Sequence, residues 1–219
     1  MWRRQCAHLG VLVRYADDFV VLCPSLWQVK EAARRIGIIL ATLKLTLHPE
    51  KTRIVNLSRG AEGFDFLGCH LRKCVSGRIL KEGKKKYFLQ RWPSARSMKR
   101  VRAKIHERTA RTRRGIRDVR QLIAELNPVL RGWGNYFRTG NATKKFRAID
   151  RYTERRIRAF LERRSQRRPP AKTRARWTRE WLHQQGLHQL DGTVKYPAPS
   201  RLRQEGLPKA VCRKSARTV

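Results

Sequence analysis

Two adjacent carboxylates, Asp17 and Asp18, are the residues of this sequence best suited to chemistry. Apolar residues that favour strands flank them, over Val11–Val13 and Phe19–Leu22, and this pattern predicts a hairpin with both carboxylates at its tip. Mg²⁺ is commonly held by one or two carboxylates together with substrate phosphates, and two such ions can stabilise both oxygens of a phosphoryl transfer. The hairpin is therefore a candidate magnesium site, and an ordinary Asp-Asp turn is the alternative.

Three further segments are predicted to form the elements that support this hairpin. Ser25 can cap a helix over residues 26–43, where apolar residues recur at three- and four-residue steps. Pro49 marks a turn, because proline does not lie in a central strand. Residues 62–71 alternate as one strand with Gly68 in its interior, where glycine allows another backbone to come close. The first part of the chain is thus predicted to form strands and one long helix.

Arginine-rich helices are predicted beyond residue 92. Ser94 or Ser97 can cap a first helix that ends at Gly115. A second apolar stripe follows, and Pro128 can open a further helix at its first turn. Apolar residues also line one side of a helix over about residues 143–165. We expect these stripes to pack together and to leave a basic exterior.

The net charge of +37 comes from 53 basic and 16 acidic residues. A charge of this size repels itself in a compact fold, so a polyanion is the expected partner: nucleic acid, with an anionic membrane surface as the alternative. Residues 91–179 hold 29 of the basic and 6 of the acidic residues, which makes them the expected binding surface. No apolar run reaches the roughly 18 residues that a membrane-spanning helix needs, so we expect no membrane partner.

The five cysteines are scattered, which favours reduced thiols over a disulfide framework. Cys69, His70 and Cys74 could supply one half of a zinc site, but no second Cys/His pair lies at a usable distance in the sequence. We therefore expect a reducing cytoplasmic setting and no structural zinc.

Four segments, taken in chain order, resemble the group II intron reverse transcriptase/maturases of bacterial type. Tyr15-Ala16-Asp17-Asp18 is similar to the active-site hairpin of reverse transcriptases, and Pro49-Glu50-Lys51-Thr52 is similar to a stretch beside their nucleotide site. Phe66-Leu67-Gly68 resembles the primer-grip hairpin, which holds the primer end toward the metals. Residues 130–137, with the pattern Leu-x-Gly-Trp-x-Asn-Tyr-Phe, resemble the maturase domain, which doubles as the polymerase thumb.

This resemblance covers roughly residues 5–199, includes no endonuclease domain, and implies an α+β fold. Residues 1–90 would form part of a right-hand polymerase palm, with the active-site hairpin and the primer grip. Residues 91–168 would form the helical thumb, or maturase-specific domain. A loop-rich basic tail is expected over residues 169–219, because an Arg-Arg-Pro-Pro run at residues 167–170 breaks the last helix.

The resemblance also implies roles for individual residues in RNA-templated DNA synthesis, in which a primer 3′-OH attacks the α-phosphate of a nucleotide. Asp17 and Asp18 would hold Mg²⁺ in a two-ion site, with Asp17 as the more direct ligand. Tyr15 would pack near the primer terminus. Lys51 would lie near the incoming triphosphate, with a solvated turn lysine as the alternative.

Basic residues would bind group II intron RNA and the RNA template/DNA primer duplex, because arginine and lysine pair with phosphate and arginine also stacks on bases. The candidates are Lys84, Lys85, Lys86, Arg100, Arg113, Arg114, Arg131, Arg138, Lys144, Lys145, Arg147, Arg151 and Arg155.

The predicted metal site is incomplete in this chain. No Asp or Glu precedes Asp17, whereas the family's site also uses an aspartate on an upstream palm strand. We therefore expect a chain that does not polymerise alone and that works with an N-terminal reverse transcriptase half in the bacterial cytoplasm. The alternatives are a non-catalytic RNA-binding maturase module and a decayed fragment that binds nucleic acid non-specifically.

Overall fold

The computed structural model describes residues 2–75, 85–110, 118–164, 170–196 and 217–218. The chain divides into two compact units, which we call the sheet unit (residues 1–90 and 199–219) and the helical unit (residues 91–198). Strands and helices both contribute, in agreement with the predicted α+β class. None of the described helices is both long and apolar enough to cross a membrane.

The sheet unit contains two small antiparallel sheets. Their strand orders are β1-β2-β7-β3 and β4-β5-β6, and β1 is an edge strand of the first sheet. The elements are α1 (Trp2–Gln5), β1 (Val11–Tyr15), β2 (Asp18–Cys23), α2 (Leu26–Thr42), β3 (Val55–Asn56), a 3₁₀ turn (Ser58–Gly60), β4 (Gly63–Phe66), β5 (Cys69–Val75), β6 (Tyr87–Pro93) and β7 (Arg217–Thr218).

Strand β2 is buried on both faces, and this places it at the centre of the unit. Successive side chains of a strand point to opposite faces. Val21 therefore packs with Val29 and other residues of α2, and Val20 packs on the other face with Phe64. Helix α2 begins where predicted, because the Ser25 side chain accepts a hydrogen bond from the Gln28 backbone N–H.

The prediction of one strand over residues 62–71 was wrong. Strands β4 and β5 form a hairpin in which Phe66 pairs with Cys69, so Leu67 and Gly68 form its two-residue turn. Both turn residues have positive φ, 49° and 73°, as a hairpin turn of type I′ requires. Leu-Gly lacks the Asn or Asp that usually signals such a turn, so the apolar alternation hid it.

The helical unit contains five helices in its described residues: α3 (Ala95–Arg108), α4 (Val119–Phe137), α5 (Thr143–Arg164), α6 (Ala171–Ala175) and α7 (Arg179–Gln184). Ser94 caps α3 by accepting from the Ser97 N–H, and Asp118 caps α4 by accepting from the Arg120 N–H. The core consists of the apolar stripes of α3, α4 and α5, with Ile105, Leu122 and Phe146 fully buried.

Two predictions about the helices need correction or lie outside the structure. Pro128 does not open a helix but lies inside α4. Packing of residues on both sides of it, such as Leu126 and Leu130, outweighs the roughly 3 kcal/mol propensity cost of an internal proline. The predicted end of the first helix at Gly115 lies outside the described residues.

The predicted separate tail after residue 168 also differs from the structure. Residues 170–196 lie in the helical unit, where Leu182, Leu187 and Leu190 are buried. The Asp150 carboxylate of α5 accepts hydrogen bonds from the backbone N–H groups of Leu190 and Asp191, at 3.1 and 2.9 Å. Prolines and glycines concealed this segment in the sequence, because its apolar residues follow neither a helix nor a strand period.

Candidate nucleic-acid interface

The β1–β2 hairpin places the two predicted catalytic carboxylates side by side. Tyr15 pairs with Asp18, so Ala16 and Asp17 form a two-residue tip and Asp18 is the first residue of β2. The Arg14 side chain Nε donates to the Ala16 carbonyl at 2.8 Å and fixes the tip. Both Asp17 and Asp18 are exposed, so both carboxylates are available to a cation or a partner.

This pair fits Mg²⁺ in kind but does not by itself make a two-ion site. Carboxylate oxygens are the hard donors that Mg²⁺ takes, and two of them lie on adjacent residues of a hairpin tip. Among the residues that the structure describes, however, no group of three or more His, Cys, Asp or Glu side chains could hold a metal ion. Further ligands would have to come from outside these residues.

The remaining predicted catalytic residues take different positions. Tyr15 is on the hairpin itself and is 66% exposed, and Val11 and Val13 on the same face of β1 are exposed as well. Lys51 lies on a separate turn, closed by backbone hydrogen bonds from Lys51 and Thr52 to the His48 carbonyl. The Lys51 side chain is exposed.

The predicted primer-grip residues lie on the β4–β5 hairpin. Leu67 and Gly68 are its tip, and Phe66 is half-buried against the cluster that contains Val20 and Phe64. Next to the tip, the Asp65 carboxylate lies 2.6 Å from His70 Nδ1. The two hairpins therefore share one apolar cluster, which couples the packing of the β1–β2 hairpin to that of the β4–β5 hairpin.

The predicted RNA-binding residues fall into three groups. Arg147 pairs with Asp191 at 3.0 Å, and Arg151 donates to the Arg147 carbonyl. The second group consists of side chains that have no ion pair or hydrogen bond to any other described residue: Lys85, Lys86, Arg100, Arg131, Arg138, Lys144, Lys145 and Arg155. Lys84, Arg113 and Arg114 lie outside the described residues.

Several other arginines of α5 and α7 serve the fold instead. Arg156 Nε donates to Thr109 Oγ1 at 2.9 Å, Arg158 Nε donates to the Trp177 carbonyl at 2.7 Å, and Arg179 lies 3.3 Å from the Glu154 carboxylate. These contacts tie α5 to α3 and to the segment after residue 170. Sequence composition cannot separate such structural arginines from those available to RNA.

The Gly-Trp-Gly-Asn-Tyr-Phe segment of α4 packs the helical unit together. A Cβ on Gly134 would lie 2.5 Å from Leu190 Cδ2, whereas one on Gly132 would meet no described atom within 4 Å. The predicted close approach is thus confirmed at Gly134 and wrong at Gly132. Trp133 contacts the rings of Phe137 and Phe146 at centroid distances of 5.1 and 5.4 Å. Gly134 and Phe137 are buried and Trp133 is half-buried, whereas the other three residues of the motif are exposed, so only one side of this motif belongs to the core.

Asp150 and His188 have shifted pKa values in this region. Burial raises the pKa of the Asp150 carboxyl, although the backbone donors of Asp191 and Leu190 act in the opposite direction. Burial also lowers the pKa of His188, and the charge of Arg131 lowers it further. Both shifts have the direction expected when a low-dielectric site disfavours the charged form.

Comparison with known proteins finds a family similarity within the helical unit. Residues 98–181, from α3 to α7, match the family described as group II intron, maturase-specific domain. The chain is also 32% identical over 136 residues to the uncharacterized 91 kDa protein in cob intron of Schizosaccharomyces pombe. That alignment covers 57% of this chain and 16% of the yeast protein, so the chain spans a small part of that relative's length. Both similarities support the interpretation of this chain as a group II intron maturase.

Proposed function

We propose that the chain binds group II intron RNA through its helical unit and thereby assists intron splicing. The observation that carries the proposal is the match to the maturase-specific domain over residues 98–181. Exposed cations of the same unit that lack a partner among the described residues, such as Arg100, Arg131 and Arg138, support it. Unpaired arginines at a surface are available for phosphate contacts that neutralise the RNA backbone.

A competition experiment tests this function. The full chain is bound to a folded group II intron RNA transcribed from the DNA around this reading frame, and a random RNA of equal length competes at rising salt. A maturase is expected to keep its preference for the intron when salt is raised, because shape-specific contacts persist as the electrostatic contribution falls. If the affinity for both RNAs falls equally as salt is raised, the chain is a non-specific binder instead.

A matched pair of variants locates the binding surface. Arg131→Gln/Arg138→Gln removes two exposed, unpaired charges of the helical unit, and we expect weaker intron binding. Arg34→Gln/Arg35→Gln removes two exposed charges that pair with Glu31 in α2, and we expect little change. A larger loss in the second variant than in the first would contradict binding by the helical unit.

The finer proposal is that the sheet unit contributes to reverse transcription. In this proposal Asp17 and Asp18 supply two Mg²⁺ ligands, Lys51 lies near the triphosphate, and Phe66–Gly68 hold the primer. An N-terminal reverse transcriptase half would supply the remaining carboxylate, in the cytoplasm of a bacterial cell. The exposed apolar face of β1, at the edge of its sheet, supports a partner at this position.

Primer extension on an RNA template with Mg²⁺ tests the finer proposal. We expect no extension from the purified chain alone, and extension that requires Asp17 when the N-terminal half is added. The Asp17→Ala variant is the control for both reactions. Extension by the chain alone that disappears in this variant would mean that the site is completed without a partner.

A further inference from the structure

Three residues of the helical unit form an arrangement that the sequence analysis did not find. The guanidinium carbon of Arg102, on α3, lies 5.8 Å from the centroid of the Tyr152 ring, on α5. The guanidinium carbon of Arg155, one helical turn after Tyr152, lies 5.4 Å from the same centroid. Both distances are within the range of cation–π attraction. One aromatic ring thus positions two cations from two helices.

The Tyr152 ring is itself held in place. It is half-buried between the helices, and its hydroxyl donates to the Arg102 backbone carbonyl at 3.4 Å. Both arginines are exposed. Among the described residues, neither guanidinium has an ion pair or a hydrogen bond, whereas Arg147, Arg156 and Arg158 all have such contacts. The guanidinium N–H donors of Arg102 and Arg155 are therefore held in position but donate no hydrogen bond to any described residue.

Two like charges near one ring repel each other, and an anion that lies close to both offsets this repulsion. Because the two guanidinium carbons lie 5.8 and 5.4 Å from one centroid, their separation cannot greatly exceed the screening length of about 10 Å at 0.1 M salt, and solvent ions reduce the repulsion only in part. Phosphodiester groups match the requirement, since arginine binds phosphate bidentately.

We propose that Arg102 and Arg155 bind the phosphodiester backbone of RNA, and that Tyr152 is the residue that positions them. This site rests on the proposed RNA-binding function and adds two residues, Arg102 and Tyr152, to its surface. Because phosphates carry no sequence information, the contact strengthens binding to any RNA helix that reaches the α3–α5 face.

The first test compares two charge-matched variants of the full chain. Binding to a fluorescently labelled RNA duplex of about 20 base pairs and random sequence is measured by anisotropy at several salt concentrations. Arg102→Gln/Arg155→Gln is expected to bind about tenfold more weakly near 0.1 M salt, with a salt slope smaller by about 2, one for each lost phosphate contact. Arg34→Gln/Arg35→Gln removes the same charge from α2 and is expected to change the affinity less than about threefold.

The second test separates positioning from structure. Tyr152→Phe keeps the ring and is expected to bind the duplex as the native chain does. Tyr152→Leu removes the ring, and we expect weaker binding although both charges remain. Thermal unfolding checks that each variant is folded. If Tyr152→Leu does not fold, the comparison of the two arginine pairs still decides whether Arg102 and Arg155 bind RNA.

Equal effects of the two arginine pairs would overturn the proposal, as would native-like binding by a folded Tyr152→Leu variant. The outcome is independent of the test for intron preference. A chain that binds the duplex through Arg102 and Arg155 but does not prefer intron RNA would keep this site and lose the maturase function. A chain that prefers intron RNA but binds the duplex equally well without these two arginines would keep the maturase function and lose this site.

Discussion

Ala16 and Leu67 lie at hairpin tips and adopt the left-handed backbone conformation, which residues other than glycine seldom adopt. Their φ angles are 51° and 49°, and the left-handed region costs an L-residue roughly 1–2 kcal/mol. Such strain persists only where the surrounding structure imposes it, and it concentrates at functional sites. Here the paired strands on both sides impose it, at the two tips that the sequence associates with metal and primer.

Replacing Ala16 with glycine is expected to raise the free energy of unfolding by about 0.5–1 kcal/mol, because the relief of strain exceeds the entropy that glycine adds to the unfolded chain. Ala61, which is also exposed but has a φ of −57°, is the control, and Ala61→Gly is expected to lower stability. Urea unfolding measures both. A loss of stability in Ala16→Gly equal to that in Ala61→Gly would contradict strain at the tip.

The lowered pKa of His188 makes stability depend on pH. The folded pKa lies below the unfolded value of about 6.5, so the unfolded state binds the proton more readily. This contribution to stability is complete above pH about 6.5 and is lost as pH falls toward the folded pKa. We expect Arg131→Gln to raise the pKa of His188, measured by NMR titration, and Arg138→Gln to leave it unchanged. An equal effect of both variants would exclude a specific contribution of Arg131.

At the scale of the elements, two glycines of α4 are expected to respond in opposite ways to alanine. Gly132→Ala should raise the free energy of unfolding by about 0.5–1 kcal/mol, since the position is open and alanine favours helix. Gly134→Ala should lower it by about 1–3 kcal/mol, because the new methyl overlaps buried Leu190. Thermal or urea unfolding of the two variants measures the difference. A gain of stability in both would mean that Leu190 is not packed against α4.

Local signals explain which elements the sequence predicted. The apolar spacing of α2 and the cap at Ser25 depend on neighbouring residues and were confirmed. Pro128 was misplaced because its cost is outweighed by packing against helices distant in sequence. The Leu67–Gly68 turn was missed because its chemistry is atypical. The contact between Asp150 and Leu190 joins residues 40 positions apart, and no local pattern encodes it.

The same limit applies to the candidate interface. The charge of residues 91–179 predicted a binding surface, but charge does not tell which arginines are already occupied. Arg147 was predicted to bind RNA and pairs with Asp191, whereas Arg102 was overlooked and is unpaired among the described residues. The distinction depends on tertiary contacts, which only the structure provides.

At the scale of the whole molecule, exposed apolar surface is concentrated in one unit. Among the described residues, eleven of the thirteen exposed large apolar side chains belong to the sheet unit. The edge strand β1 also exposes Val11, Val13 and Tyr15 on one face. Unpaired edges and apolar faces promote association. The sheet unit is thus expected to be the part of this chain that associates more readily, and the helical unit is expected to be more stable on its own.

Separate expression of the two units tests this difference. We expect residues 91–198 to be monomeric and helical by size-exclusion chromatography and circular dichroism. The sheet unit, expressed as residues 1–90 joined to residues 199–219 by a flexible linker, is expected to aggregate, because its exposed apolar faces remain uncovered. The full chain provides the reference for both measurements. A monodisperse sheet unit at low salt, or an aggregated helical unit, would contradict the assignment.

The contact between Gly134 and Leu190 also has a consequence for synthesis of the protein on the ribosome. Helix α4 ends at Phe137, yet its face around Gly134 is covered only after Leu190 has been translated. At about 5–20 residues per second, that delay is roughly 3–10 seconds. During this interval α4 and α5 exist as nascent chain without their covering segment. The packing of the helical unit is therefore completed late in translation, only after this segment has emerged.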